Sequence, residues 1–321
     1  MITVIIPSFN TGKTIARAIE SVIETGYPAL EVIIVDDGST DDSIETINRY
    51  VGAHEWIHLY THKDSKNHGI AVTRNVALQK ARGAYVAFLD ADDTFLPNRF
   101  DKAAPLLDAN ESINVVYEPY ELVHVSGKRS EAMIADESPS LPVFDTDQGL
   151  FEYVLVHGGF PHTSSVTIRS EAIKRVGGFP PLKYCLEKPL WLKLYSLGGV
   201  RSGGNEPVSR YYLHEESTCA INEDKAAFRF EDVKALIDVY KWMKRTDSPY
   251  PLKRLVESRM MGKYMHYTTY VRKLNNDLLR DVLAAPIALI GARPETILYP
   301  KFWYATVRMF WGKTGVAEES N

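Results

Sequence analysis

Cysteine is nearly absent: the 321 residues include two, Cys185 and Cys219. Two thiols cannot build a disulfide scaffold or a four-thiolate zinc centre, and they fit a reducing, cytoplasmic compartment. No apolar run approaches the roughly 20 residues that span a bilayer. The longest uncharged one, residues 282–292, is interrupted by Pro286 and Gly291. A basic, apolar and small-residue leader is missing at the start, where residues 3–7 read instead as a buried strand. The chain lacks a phosphate loop, a dinucleotide fingerprint and a nucleophile elbow. It also lacks an internal repeat of 20–50 residues. His54, His58, His62, His124 and His266 have no metal-like spacing and read as surface or satisfied core residues.

The net charge is −4, and it is unevenly spread. From Lys225 onward 17 bases face 10 acids, whereas the residues before it hold 20 bases and 31 acids. An acidic body argues against a protein built to grip nucleic acid. A basic tail on such a body suggests a separate job for each part. With 45% apolar and 24% charged residues, the chain can bury a sizeable core.

The first 120 residues alternate apolar strands with amphipathic helices. Strands are expected at 3–7, 31–35, 56–60, 84–89 and 113–117, and helices at 13–24, 43–50, 70–80 and 99–107. Continuous apolar strands between such helices imply an α/β fold with a mostly parallel sheet covered on both faces. In such sheets ligands bind beyond the carboxyl ends of the strands. Residues 126–148 read as a Ser-, Pro- and Asp-rich excursion. Regular structure resumes at 150–157, 163–169, 190–195 and 208–213, and long helices are expected at 225–242 and 253–273.

Four polar clusters follow consecutive strands. Pro7-Ser8-Phe9-Asn10 ends the first strand, and Asp36-Asp37-Gly38-Ser39-Thr40-Asp41 ends the second. The second suits a turn and helix cap. Its doubled carboxylate is also more than a cap requires, and acids there can accept from a base or ribose hydroxyls. Asn67-His68-Gly69 leads to Arg74, whose guanidinium suits a phosphate or an exposed helix position. Asp90-Ala91-Asp92-Asp93 ends the strand at 84–89. Alternation would aim Asp90 and Asp92 to one side. Crowded carboxylates raise one another's pKa values unless a cation neutralises them, and Mg²⁺ or Mn²⁺ prefers such oxygens.

These motifs, in this order, resemble glycosyltransferase family 2, strongly over residues 1–120 and more thinly to about 220. The resemblance implies a GT-A fold, Rossmann-like in its nucleotide-binding half, and inverting sugar transfer from a nucleotide-sugar, with a UDP-sugar favoured. It divides the chain into a catalytic domain, 1–222, and a helical C-terminal region, 223–321. Within the domain, 1–120 would bind the donor and 121–222 would shape the acceptor side. Pro7 and Asp37 would line the nucleobase pocket, with Ser8, Asn10 and Ala91 also binding the donor. Arg74 would approach the base or diphosphate, Asp90 the ribose, and Asp92 an Mn²⁺ or Mg²⁺ ion. The stretches 163–165 and 176–179 match the family's acceptor half, and His162 beside them is a candidate substrate contact. Aligning on Trp191 places Glu187 at the family's catalytic acid, with Leu186 where a second acid is common. The late run Tyr211-Tyr212-Leu213-His214, with Ser217, resembles an element whose His faces the diphosphate or metal. This makes His214 a metal ligand, while Tyr212 stands where an Arg is usual.

Two other readings remain open on the sequence. One is a sugar nucleotidylyltransferase, which usually carries a Gly-rich loop after its first strand. The other is a non-catalytic descendant that binds a nucleotide-sugar or glycan. In the tail, residues 301–311 group Phe302, Trp303, Val307, Met309 and Phe310 on one helical sector, with Lys301 and Arg308 opposite. Such a face suits peripheral contact with the cytoplasmic side of a membrane, and equally the catalytic domain or a second copy in a homodimer. The membrane reading implies a glycan or lipid-linked glycan as acceptor.

Overall fold

The computed structural model describes residues 1–125, 146–158, 161–213, 225–246 and 248–273. The chain divides into two compact units, 1–221 and 222–321. In the first unit, β1 (Ile2–Ser8) is buried along its whole length. Successive strand residues face opposite sides of a sheet, so this burial means that both faces are covered. Parallel to β1 lie β2 (Leu30–Asp36) on one side and β4 (Tyr85–Phe88) on the other. Beyond β2 lies β3 (Ile57–Thr61), also parallel. The helices α1 (Ile15–Glu24), α2 (Ser43–Ala53) and α3 (Ile70–Lys80) connect these strands.

The seven-stranded sheet has the order β3-β2-β1-β4-β8-β6-β9, closed by β6 (Val115–Tyr117), β8 (Val166–Arg169) and β9 (Val200–Ser202). β8 runs antiparallel to both β4 and β6, and the remaining pairings are parallel. The architecture is therefore the expected α/β fold with a mostly parallel sheet. Order reverses at β1, because α3 carries the chain from the β3 side back across to β4. A crevice opens at such a switch point. Gly83 admits this crossing: a Cβ there would lie 2.6 Å from the amide nitrogen of Thr3.

A second, three-stranded sheet has β10 (Ser209–Leu213) between β5 (Thr94–Phe95) and β7 (Glu121–His124). α4 (Ala103–Ala109) precedes β6. α5 begins at Asp147 and runs to His157, so Asp147 and Gln148 belong to a helix rather than to the expected excursion. α6 (Ser170–Val176) ends at Gly177, whose φ of 84° suits glycine. α7 (Glu187–Leu197) is buried continuously from Pro189 to Tyr195, as a helix enclosed on all sides must be. Its first residue is consequently set on a rigid support.

In the second unit α8 (Lys225–Arg245) and α9 (Tyr250–Lys273) pack together, with an ion pair of 2.7 Å between Lys263 and Asp232. Among the described residues no helix is long and apolar enough to cross a membrane. Residues 301–311 and His214 lie outside the described residues.

Candidate functional site

The loops after β1 and β2 are strapped together at the crevice. The register pairs Ser8 with Asp36, which brings the two strand ends level. Asn10 takes a left-handed backbone, φ 53°, which Asn tolerates better than most residues. Its amide donates to Ser39 Oγ at 2.9 Å, and its side-chain carbonyl accepts from the Thr40 amide at 2.8 Å. Asp36 accepts from the amides of Gly38 and Ser39 at 3.0 and 2.9 Å. These groups shape the wall, and Phe9, 45% exposed, is held out upon it. Asp37 is buried and accepts from the amides of His68 and Gly69 at 2.7 and 2.9 Å. His62 Nε2 lies 3.2 Å from the same carboxylate. Asp37 thus pins the entry to α3 while still lining the cavity.

The acidic run behaves differently from the alternation expected of a strand. β4 ends at Phe88, and residues 90–93 form a turn closed by the Asp93 amide donating to the Asp90 carbonyl at 3.0 Å. Asp90 and Asp92 still line the cavity, because the turn, and not a pleat, presents them. Asp93 turns inward. It accepts from Ser164 Oγ at 3.0 Å and from the Tyr212 amide at 3.1 Å, with His162 Nε2 at 3.5 Å. Burial, and then the charges of Asp90 and Asp92, push Asp93 up to about 9, although those two hydrogen bonds oppose the shift. Burial holds His162 down at about 4.

Asp90, Asp93 and His162 bring ligand atoms within 4.8 Å of one another, close enough among the described residues to share a metal ion. Two carboxylates and an imidazole this close together are a donor set that Mg²⁺ or Mn²⁺ takes, so the residues fit a divalent cation. The cluster shares no residue with the Asp92 and His214 pair expected from sequence: Asp92 lines the cavity outside this group, and His214 lies outside the described residues. His162, expected beside the acceptor, faces Asp93 and packs against Tyr120 and Tyr211.

Arg74 does not reach the open cavity. Its side chain is 1% exposed, and Nη2 donates to Asp90 Oδ1 at 2.5 Å while Nη1 donates to Glu187 Oε1 at 2.8 Å. Burial disfavours its charge, but Asp90 and Glu187 outweigh that and hold its pKa above the ordinary arginine value. The guanidinium sits 5.1 Å from the ring centroid of Phe179. Asn75, next on α3, fixes that residue by donating to its carbonyl at 2.8 Å and accepting from its amide at 2.9 Å. The expected phosphate contact of Arg74 is replaced by a bridge between two carboxylates. Leu186 is buried, and Glu187 stands at the N-terminus of α7.

The cavity measures about 940 Å³, within the usual range for small-molecule sites. Pro7, Ser8, Asn10, Asp37, Asp90, Ala91 and Asp92 all line it, whereas Arg74 and Glu187 lie outside its wall. Sequence reasoning missed Phe9, Lys13 and Arg17, which line it too. The spacing of Lys13 and Arg17, four apart entering α1, was the available signal. Tyr212 also lines the cavity and carries the guanidinium of Arg17 at 3.7 Å from its ring centroid.

Residues 3–168 match the family described as glycosyl transferase family 2. A Bacillus subtilis (strain 168) glycosyltransferase assigned by its name to teichuronic acid biosynthesis, TuaG, is 30% identical over 247 residues, 77% of this chain and 92% of that protein. The glycosyltransferase EpsE of the same organism is 25% identical over 287 residues, 85% of this chain and 95% of its own. The crystal structure of S. aureus TarS 1-349 in complex with UDP-GlcNAc superposes with a TM-score of 0.69 at 19% identity, covering 96% of this chain and 88% of that one. A Pyrobaculum calidifontis mannosyltransferase, PcManGT, in complex with GDP-Man and Mn²⁺, gives a TM-score of 0.53 at 20% identity, covering 97% and 87%.

Proposed function

The chain belongs to glycosyl transferase family 2 and has the GT-A fold, and from that premise we propose that it transfers a sugar from a UDP-sugar to an acceptor hydroxyl with inversion. The observation that carries this reading is the Arg74 bridge. One guanidinium ties Asp90, on the cavity wall, to Glu187, 113 residues away. The donor-side acid and the base are thereby held at a fixed separation. The nucleobase lies against Phe9 beside Asp37, and the ribose reaches Asp90. TarS, solved with UDP-GlcNAc and with UDP, supports uridine as the base.

Glu187 Oε1 is occupied by Arg74, which leaves Oε2 to take the proton from the acceptor hydroxyl. As that proton leaves, the hydroxyl oxygen bonds to the anomeric carbon from the face opposite the diphosphate. The carbon–oxygen bond to the diphosphate breaks, UDP departs, and configuration inverts. A divalent cation, held by Asp92 together with the Asp90, Asp93 and His162 group, would supply positive charge for the departing diphosphate. The acceptor is a glycan or lipid-linked glycan, and contact with a membrane falls to residues 301–311 of the basic tail.

Nucleotide-sugars screened with Mn²⁺ or Mg²⁺ should identify a UDP-sugar that raises the melting temperature and releases UDP. Glu187→Gln should keep the thermal shift while turnover drops about 10²–10⁴-fold. Turnover at the parental rate in that variant would remove Glu187 from the role of base.

A further inference from the structure

We infer that Lys13 and Arg17 contact the diphosphate of the donor, an inference that rests on the nucleotide-sugar reading above. The cavity wall carries Asp37, Asp90 and Asp92, so a diphosphate entering it needs cationic side chains as well as a metal. Arg74 cannot serve, because it is buried and both ends of its guanidinium are engaged by carboxylates. Among the described residues of the wall, Lys13 and Arg17 are the basic ones.

Arg17 is preset for the task. Its Nη2 donates to the Asp92 carbonyl at 2.6 Å, and its guanidinium lies 3.7 Å from the Tyr212 ring centroid. Both contacts fix the plane of the fork without neutralising it, since a carbonyl and a ring face carry no full charge. Guanidinium has five N–H donors, so the others remain for phosphate oxygens. The carbonyl belongs to the residue proposed to hold the metal, which sets Arg17 beside the place the diphosphate would take. Lys13 has no ion-pair partner among the described residues and lines the same wall as a mobile point charge. Two cations from one segment would therefore grip the phosphates, while Phe9, earlier in that segment, and Asp37, after β2, would read the base.

The test compares UDP with uridine, which shares the base and ribose but has no phosphate. Calorimetric titrations at fixed Mn²⁺ would use the full chain, Lys13→Met, Arg17→Met and Arg17→Lys. Each Met variant should bind UDP about tenfold more weakly, as loss of a charge-assisted contact implies. Uridine should bind all four proteins equally, and Arg17→Lys should recover part of the loss. UDP affinities within twofold of the parent in both Met variants would overturn the inference. So would equal losses for UDP and uridine, which would mean that these residues support the fold of the pocket. A parent chain that binds no UDP would instead bring down the donor reading itself.

Discussion

Replacing Arg74 by methionine tests the bridge at the centre of the site. Methionine keeps much of the side-chain length but removes the cation that two carboxylates share. Stranding the partner of a fully buried charge typically costs about 3–5 kcal/mol. Asp90 and Glu187 keep side-chain exposures of 27% and 34%, so water recovers part of that. An expected loss of about 2–3 kcal/mol corresponds to a melting temperature lower by about 4–12 °C for a unit of this size. Arg74→Lys keeps the charge but cannot fork, so it should recover some stability while leaving Glu187 unanchored and turnover low. In a Glu187→Gln background one of the two ion pairs is already gone, so adding Arg74→Met should cost less than it does in the parent. Thermal or urea melts of the parent, Arg74→Met, Glu187→Gln and their double variant, with UDP release measured alongside, give the complete cycle, and Arg74→Lys is measured beside them. An Arg74→Met variant that melts within about 1 °C of the parent and turns over at the parental rate would refute the bridge as a supporting element.

Two further expectations follow from the carboxylates. Turnover should vanish in a chelator and return with Mn²⁺ or Mg²⁺, and Asp92→Ala should lose activity at an unchanged melting temperature; full activity in chelator would contradict the metal assignment. Glu118 is raised to about 7 from 4.5, chiefly by burial and slightly by Asp101, against the pull of Arg99 at 3.2 Å. A folded pKa above the unfolded one stabilises fully below about 4.5, and that contribution is lost as pH rises through about 7. Between pH 5 and pH 8 the parent should lose more stability than Glu118→Gln in melts, and parallel slopes for the two would show that the carboxyl does not titrate in that window.

The alternating half of the fold was legible because its information is local. Each of β1, β2 and β4 is an apolar run closed by a turn signal, and α1 keeps its apolar spacing, whereas α3 buries Thr73 and Arg74 beside two alanines and leaves Ile70 exposed. β8 defeated that logic. Val166–Arg169 looks like any short strand, and its antiparallel direction depends on insertion between β4 and β6, which no window of neighbouring residues records. β5 and β9, of two and three residues, fall below the length at which a period can be read. α6 was readable and was passed over: Lys174 and Arg175 in its last turn and Gly177 behind them form an ordinary C-terminal signal.

The same division by interaction range runs through the site. That acids at the ends of β2 and β4 gather at one edge follows from parallel topology alone, so Asp37, Asp90 and Asp92 could be placed in the cavity from sequence. What each acid is paired with could not. Asp90 and Glu187 both find Arg74, at separations of 16 and 113 residues. That choice turns an apparent phosphate ligand into a buried brace. Once Arg74 is withdrawn, the cavity still holds several carboxylates, and the charge balance passes to whatever cation its wall presents. Arg17 meets that need from α1, aimed by a carbonyl 75 residues along the chain and by the ring of Tyr212. A helix surface residue that looks merely solvated in sequence therefore acquires its role from the burial of another arginine, and substituting Arg17 should disturb UDP binding while leaving the Arg74 bridge, and the stability it supports, intact.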